Sequence, residues 1–310
     1  MDFGSINPAV LIASLMVASV PIMLAALGEL VVEKAGVLNL GVEGMMIMGA
    51  ICGFVVTIHT ESPFLGFVGG ALGGAALSLI FAFLTQVLLA NQVATGLALT
   101  MFGLGMSSLM GQSYNGLKPV QTLAVPFGPL AQIPFFGRVL FSHDWIVYFS
   151  ILMTGLLWWV LKSTRLGLIL RAVGESHEAA HALGYKVGRI RLGAIAFGGA
   201  MAGMGGAYVS LVRVPQWVDG ITAGAGWIAL AIVVFASWKP WRVLIGAYLF
   251  GGITVLQLNL QVAGSWIPVE YLSMSPYLIT ILVLVIMSSG RGRAGLNAPA
   301  ALGQNFHASR

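Results

Sequence analysis

Residues 7–27 read NPAVLIASLMVASVPIMLAAL, without one charged side chain. A helix rises about 1.5 Å per residue, so this run spans the roughly 30 Å hydrocarbon core of a bilayer. Eight further segments have the same character, at 38–58, 64–89, 92–113, 144–161, 192–212, 222–238, 242–262 and 272–288. The composition agrees with them: 58% of the 310 residues are hydrophobic and 8% are charged. An ordinary soluble domain carries about 25% charged residues to cover its surface. The 41 glycines suit helices that must approach closely in lipid, where apolar burial gives no drive for association. The expectation is an all-α integral membrane protein, a polytopic bundle of about nine (8–10) transmembrane helices. One transmembrane domain is expected over 1–289, with a loose polar tail over 290–310.

The N-terminus does not read as a cleavable signal. Such signals open on basic residues, whereas Asp2 is the only charge before Glu29 and Lys34 is the first basic residue. The single cysteine, Cys52, excludes an internal disulfide. The formal net charge of +5 does not point to nucleic acid, because in a membrane protein the position of the basic residues carries the meaning. With the N-terminus outside, the inner segments hold Lys34, Lys162, Arg165, Arg171, Lys186, Arg189, Arg191, Lys239, Arg242, Arg291, Arg293 and Arg310. Only Lys118, Arg138 and Arg213 then lie outside. The positive-inside rule selects this orientation, with a cytoplasmic C-terminus. Between the fourth and fifth segments, 114–143 holds Pro119, Pro126, Pro129 and Pro134. It is too broken for a simple span and is open to a partly re-entrant course. Thr95–Gly105 and Thr222–Ala236 are loosely alike, which is too little to establish an internal repeat.

The longest polar stretch on the inner side, 162–191, reads KSTRLGLILRAVGESHEAAHALGYKVGRIR. Ser176 can cap a short helix and Gly184 can end it. Flanked by basic residues, that helix is either a docking knob for a soluble partner or a solvated connection.

Four blocks carry a resemblance. RAVGESHEAAHALG at 171–184 is similar to the cytoplasmic coupling loop of ABC importer permeases for branched-chain amino acids, ribose-type sugars and nucleosides. EKAGVLNLGVEG at 33–44 resembles the block near that family's second span. Asn91–Gly105 resembles its Asn-Gln-Val-x-x-Gly-x-Ala-Leu segment, and GWIALA at 226–231 through Trp238-Lys-Pro240 resembles another signature. The Asn39/Glu43 form is most like the nucleoside branch, whose receptor is a lipoprotein. The resemblance implies a permease with no catalytic site and no cofactor, located in the bacterial inner membrane. Its partners would be cytoplasmic ATPase subunits, a second permease, an external substrate-binding lipoprotein and membrane lipid. The sequence holds no Gly-x-x-x-x-Gly-Lys-Ser/Thr phosphate loop, so the energy must come from another chain. On this reading Arg171, Gly174, Glu175, Glu178, Ala179, Ala180 and Gly184 form the coupling loop. Asn39, Glu43 and Asn91 are candidates for the translocation path. Ribose-type sugars and branched-chain amino acids remain alternative cargoes.

Two readings from other classes compete. His177-Glu178-x-x-His181 matches the zinc metalloprotease pattern, with two imidazoles on one helical face. A third ligand is poorly supplied: the acidic residues that follow, Asp219 and Glu270, fall on outer segments, and His307, on the correct side, lies in the loose tail, so no metal is expected. An ion-coupled secondary carrier would place ionisable groups in mid-span. Here Glu43 is nearly alone, with Asn39 a turn before it. Glu43 has two readings, a path lining that meets a polar substrate or a hydrogen bond that ties two spans. Glu29 and Glu33 are expected as solvated interface charges. Trp217, Trp238, Trp241 and Trp266 are expected as interfacial anchors, because all stand near span ends.

Overall fold

The computed structural model describes residues 8–121, 124, 125, 127, 130, 131, 133–262, 268–288 and 298–307. All regular structure there is helical. The helices are α1 (Pro8–Lys34), α2 (Val42–Thr60), α3 (Pro63–Ala82), α4 (Gln92–Gly111), α5 (Phe136–Leu140), α6 (Trp145–Ser163), α7 (Arg165–Glu175), α8 (His177–Ala182), α9 (Val187–Tyr208), α10 (Ala225–Phe235), α11 (Pro240–Val262) and α12 (Val269–Ser288). Each of the nine apolar segments coincides with a helix. Among the described residues, seven helices are long and apolar enough to cross a membrane. The remaining two of the nine segments, the seventh and the ninth, hold the short α10 and α12.

Local chemistry sets the ends. Pro63 opens α3, where its missing N–H is no loss, and Ser62 accepts from the Leu65 N–H. Asn91 caps α4 by accepting from Ala94, and Asp144 caps α6 by accepting from Ile146 and Val147. The helices α3 and α9 each run on into a π-helical turn, at Phe83–Val87 and Val209–Arg213.

The centre is built by α1, α2, α3 and α9. Their crossings lack side chains. A Cβ placed on Gly203 of α9 would stand 2.2 Å from the Gly70 carbonyl oxygen of α3, and one on Gly49 of α2 would stand 2.2 Å from Gly203. Only glycine permits that approach, and it lets the three backbones touch. Around this centre, Leu72, Met101, Leu109, Leu152 and Trp159 are exposed, as residues that lipid would cover.

Three features differ from the expectations. The seventh apolar segment contains a half-length helix, α10, of 11 residues; at about 1.5 Å per residue it is roughly 16 Å long, half a hydrocarbon core. Residues 298–307, expected within a loose tail, pack back on the bundle through Ala301 N–H to the Gly174 carbonyl (3.0 Å) and Gly303 N–H to the Gly36 carbonyl (3.2 Å). The interfacial place expected for Trp217 and Trp238 also fails. Both are buried, while Trp241 is exposed beside the Arg242 guanidinium. Trp266 lies outside the described residues.

Candidate functional site

Glu43 enters in the first turn of α2 and is 4% exposed. One carboxylate oxygen accepts from the Thr222 hydroxyl and from the Gly224 N–H at 3.0 Å; the other accepts from the Gly226 N–H at 2.6 Å. These donors stand at the start of α10. A carboxylate is suited to that place, because the first N–H groups of a helix have no partner of their own and its dipole favours negative charge. The segment 214–224 must therefore descend from the end of α9 into the bundle to begin α10. Gly220, Ala223 and Gly224 make that turn with φ of +68°, +48° and +83°. At Gly226 a Cβ would lie 2.6 Å from the Glu43 backbone, so glycine alone brings the two helices this close. The depth follows from α4. Gly44 faces the Leu99 carbonyl and Thr100 donates to the Leu40 carbonyl at 3.1 Å, a level about 11 Å from the start of α4 at the usual helical rise. Of the two readings of Glu43, this geometry is that of a tie between two elements.

Asn39 is fully buried in the turn before α2. Its N–H donates to Glu29 at 3.3 Å, and its side-chain oxygen accepts from Gly41 at 2.9 Å. Glu29 and Glu33 are each 1% exposed, which overturns their reading as solvated charges. Glu33 accepts from the Trp238 indole N–H. The sequence offered no sign of this pair, since the partner lies 205 residues away. Asn91 is not brought to Asn39 and Glu43; it is an exposed cap of α4.

The segment that resembles a coupling loop forms two helices, α7 and α8, at the Lys34 end of the bundle. Thr164 caps α7 by accepting from Gly167. Ser176 caps α8 by accepting from Ala179 at 3.2 Å, and Gly184 turns the chain away with φ of +86°. Gly174 and Ala180 are buried, whereas Arg171, Glu175, Glu178, Ala179 and Gly184 are exposed. A Cβ on Gly174 would stand 2.2 Å from the Lys34 carbonyl oxygen, so α7 rests on the end of α1. Leu183 is 75% exposed at the tip, an apolar side chain outside any spanning helix.

The His pair has other partners. The His177 Nε2 faces the Arg191 guanidinium, and both rings meet the Phe306 ring edge-on, with centroids at 5.9 and 5.4 Å. Burial, and then the Arg191 charge, lower the His177 pKa to about 4. A nitrogen turned to a guanidinium is poorly placed to hold a cation. Among the described residues, no group of three His, Cys, Asp or Glu side chains could hold a metal ion.

At the opposite end, a cavity of about 420 Å³ opens between the first turns of α1 and the last turns of α11. Val10, Ala13, Val17, Val255 and Leu258 form its apolar wall, and Ser14, Arg138, His143 and Arg213 supply polar groups. No spacing or motif groups these residues, which come from four places in the chain.

Residues 11–287 match the protein family described as branched-chain amino acid transport system, permease component. The chain is 40% identical to a protein of Haloferax volcanii described as a glucose ABC transporter permease, over 94% of this chain and 95% of the relative. It is 31% identical to a nucleoside ABC transporter permease of Lactococcus lactis, over 97% and 98% of the two chains. It is 32% identical to a guanosine ABC transporter permease of Bacillus subtilis, over 92% and 93%. A solved structure of a metal-chelate type ABC transporter is similar in fold, with a TM-score of 0.51, 15% identity and coverage of 90% of this chain and 84% of that one.

Proposed function

This chain belongs to the permease components of the branched-chain amino acid transport family, the membrane part of an ABC transporter that works with ATPase and substrate-binding partners, and we propose that it imports a nucleoside-like cargo. The observation that carries this reading is the end-to-end similarity to permeases for nucleosides and guanosine. In this proposal the Lys34 end faces the cytoplasm of a cell with one plasma membrane or an inner membrane. The chain pairs with a second permease, and a lipoprotein receptor docks outside. The permease itself has no catalytic site, and hydrolysis of ATP takes place in the partner.

Force must then enter through a contact that moves with both chains. The exposed face of α7 and α8 suits that contact. Glu175, Glu178 and Ala179 offer polar and small surface around an apolar tip at Leu183. A capped rigid helix between two spans passes a displacement to both. Cargo would enter through the cavity at the far end, where an apolar wall suits a base and Arg138, Ser14 and Arg213 suit its oxygen atoms. Its volume lies in the usual range for small-molecule sites, about 300–1,000 Å³. Glu43 acts on the path indirectly, by fixing the half-helix α10 in the bundle, and Asn39 by holding the turn that leads into α2.

The test is uptake by the reconstituted transporter, with labelled guanosine and competing unlabelled nucleosides or hexoses. Displacement by nucleosides at micromolar concentration is the expected result. A second reading, hexose import, is favoured by the relative described as a glucose permease. Competition by glucose and none by nucleosides would establish it instead.

A further inference from the structure

We propose that Arg191, clamped by the C-terminal strap 298–306, is the positioning residue that joins the coupling segment to the α1–α2 turn. The proposal rests on the reading of α7–α8 as the ATPase contact. Arg191 stands in the second turn of α9 and is fully buried. Its Nε donates to the Ala35 carbonyl at 3.2 Å and its Nη2 to the Gly36 carbonyl at 2.8 Å. The same Nη2 faces His177 of α8 and donates to the Gln304 carbonyl of the strap at 3.0 Å. Its Nη1 reaches Gln86 at 3.3 Å. One guanidinium thus touches the coupling helix, the turn that precedes Asn39, the end of α3 and the strap. A buried cation with this many acceptors is fixed in place, because giving up any one leaves a carbonyl or an N–H without a partner.

The strap completes the joint from the other side. Ala301 donates to Gly174, so the strap holds α7; Gly303 donates to Gly36, so it holds the α1–α2 turn. Gln92 of α4 donates to the Gln304 carbonyl and the Asn305 side chain, and accepts from the Leu38 N–H at 2.8 Å. Asn305 donates to the Leu89 carbonyl at 2.7 Å, and Phe306 closes on both His rings of α8. Three connections at this end of the bundle are stitched into one plate. The turn at 35–41 leads straight into Glu43, so movement of the plate acts on α2 and, through Glu43, on α10. Without the strap, α8 touches the bundle chiefly through Ala180, Val187 and the His177–Arg191 contact, which would let it tilt while α2 stays still.

The experiment uses the complete transporter, reconstituted with its ATPase and receptor. Four variants of the permease are compared: deletion of 298–310, Phe306→Ala, Asn305→Ala and Arg191→Lys. Lysine keeps the charge and cannot reach Ala35, Gly36 and Gln304 together. Two quantities are read, cargo moved per ATP hydrolysed and cross-linking to the ATPase from Cys at Ala179 in a Cys52→Ser background. Cross-linking should persist in all four and ATPase activity should stay within about twofold. Cargo per ATP should fall at least tenfold in the deletion and in Arg191→Lys, and at least threefold in the two strap variants. An unchanged ratio in the deletion would overturn the proposal. So would loss of the cross-link in both Phe306→Ala and Asn305→Ala, which would make the strap an assembly element. Should the deletion and Arg191→Lys fail to insert, the two strap variants decide alone, and a wild-type ratio in both overturns it. An absent cross-link in the otherwise native permease would refute the ATPase contact itself, a result distinct from these.

Discussion

Glu43→Gln removes one acceptor from a site that has three donors. The carboxylate serves Thr222 and Gly224 with one oxygen and Gly226 with the other. Glutamine has a single oxygen. If it takes the first position, its NH2 confronts the Gly226 N–H; if it takes the second, Gly224 is left without an acceptor. Either way one buried backbone N–H is orphaned, at a cost of about 1–3 kcal/mol. The charge at the start of α10 is lost as well, worth about 0.3–1 kcal/mol. The sum is about 1.3–4 kcal/mol, localised at the junction of 214–224 with α10. At about 1.4 kcal/mol per tenfold, opening of this junction should become roughly 8- to 700-fold more frequent. Amide hydrogen exchange of Gly224 and Gly226 in the purified transporter reads that change directly. Uptake should fall, while ATPase binding at the far face should be unaltered. Exchange at Gly224 and Gly226 within threefold of the native rate would refute the reasoning, because it would mean that the carboxylate is not the anchor.

Other outcomes can be checked with single variants. Gly203→Ala should lower the thermal midpoint, because its Cβ would press into the Gly70 carbonyl; overpacking of this kind costs about 1–3 kcal/mol. Gly105→Ala, with nothing within 4 Å of the new Cβ, should leave the midpoint unchanged in the same melting experiment. The coupling segment should loosen in acid. With the His177 pKa lowered to about 4 from an ordinary 6.5, the unfolded form binds more protons between those values. Stability from neutral His177 is thus complete above about pH 6.5 and is lost as pH falls through about 4. Limited proteolysis of 164–186 between pH 7 and 4 would show it, and His177→Gln should remove most of the pH dependence. Gly184→Val should strain a turn held at φ +86°, giving a permease that inserts but no longer couples uptake to ATP. Native uptake by that variant would show that the turn is not needed.

The spans were legible because lipid allows few answers. A run that cannot hydrogen-bond its backbone to solvent must be a helix, and nine apolar runs gave nine helices. The half-span was not legible as such. Residues 222–238 are as apolar as a full crossing, and only the pairing of Thr222, Gly224 and Gly226 with Glu43 shows that the chain dips first. The coupling segment could be outlined from its polar length, its Ser176 cap and Gly184. Its anchoring could not, because Arg191 looks like any basic residue at a span end until Ala35, Gly36 and Gln304 surround it. Glu29 and Glu33 were misplaced for the same reason. Their partners are a turn and an indole, and neither is near them in sequence. The strap was hidden because the bonds that hold it to Gly174 and Gly36 are made by the backbone of Ala301 and Gly303, which no side-chain pattern announces.

The glycine crossings of α2, α3 and α9 bear on which parts of the permease can travel during a cycle. Two helices separated by side chains can slide, since rotamers absorb the shift. Two backbones in direct contact have no such layer, and a displacement of even half a residue drives a carbonyl into a Cα. Helices that meet at Gly49, Gly203 and Gly74 can therefore travel only as one rigid body. Motion relative to that body must be sought where glycine does not weld the chain: in α6, whose Gly155 meets nothing within 4 Å, and in α12.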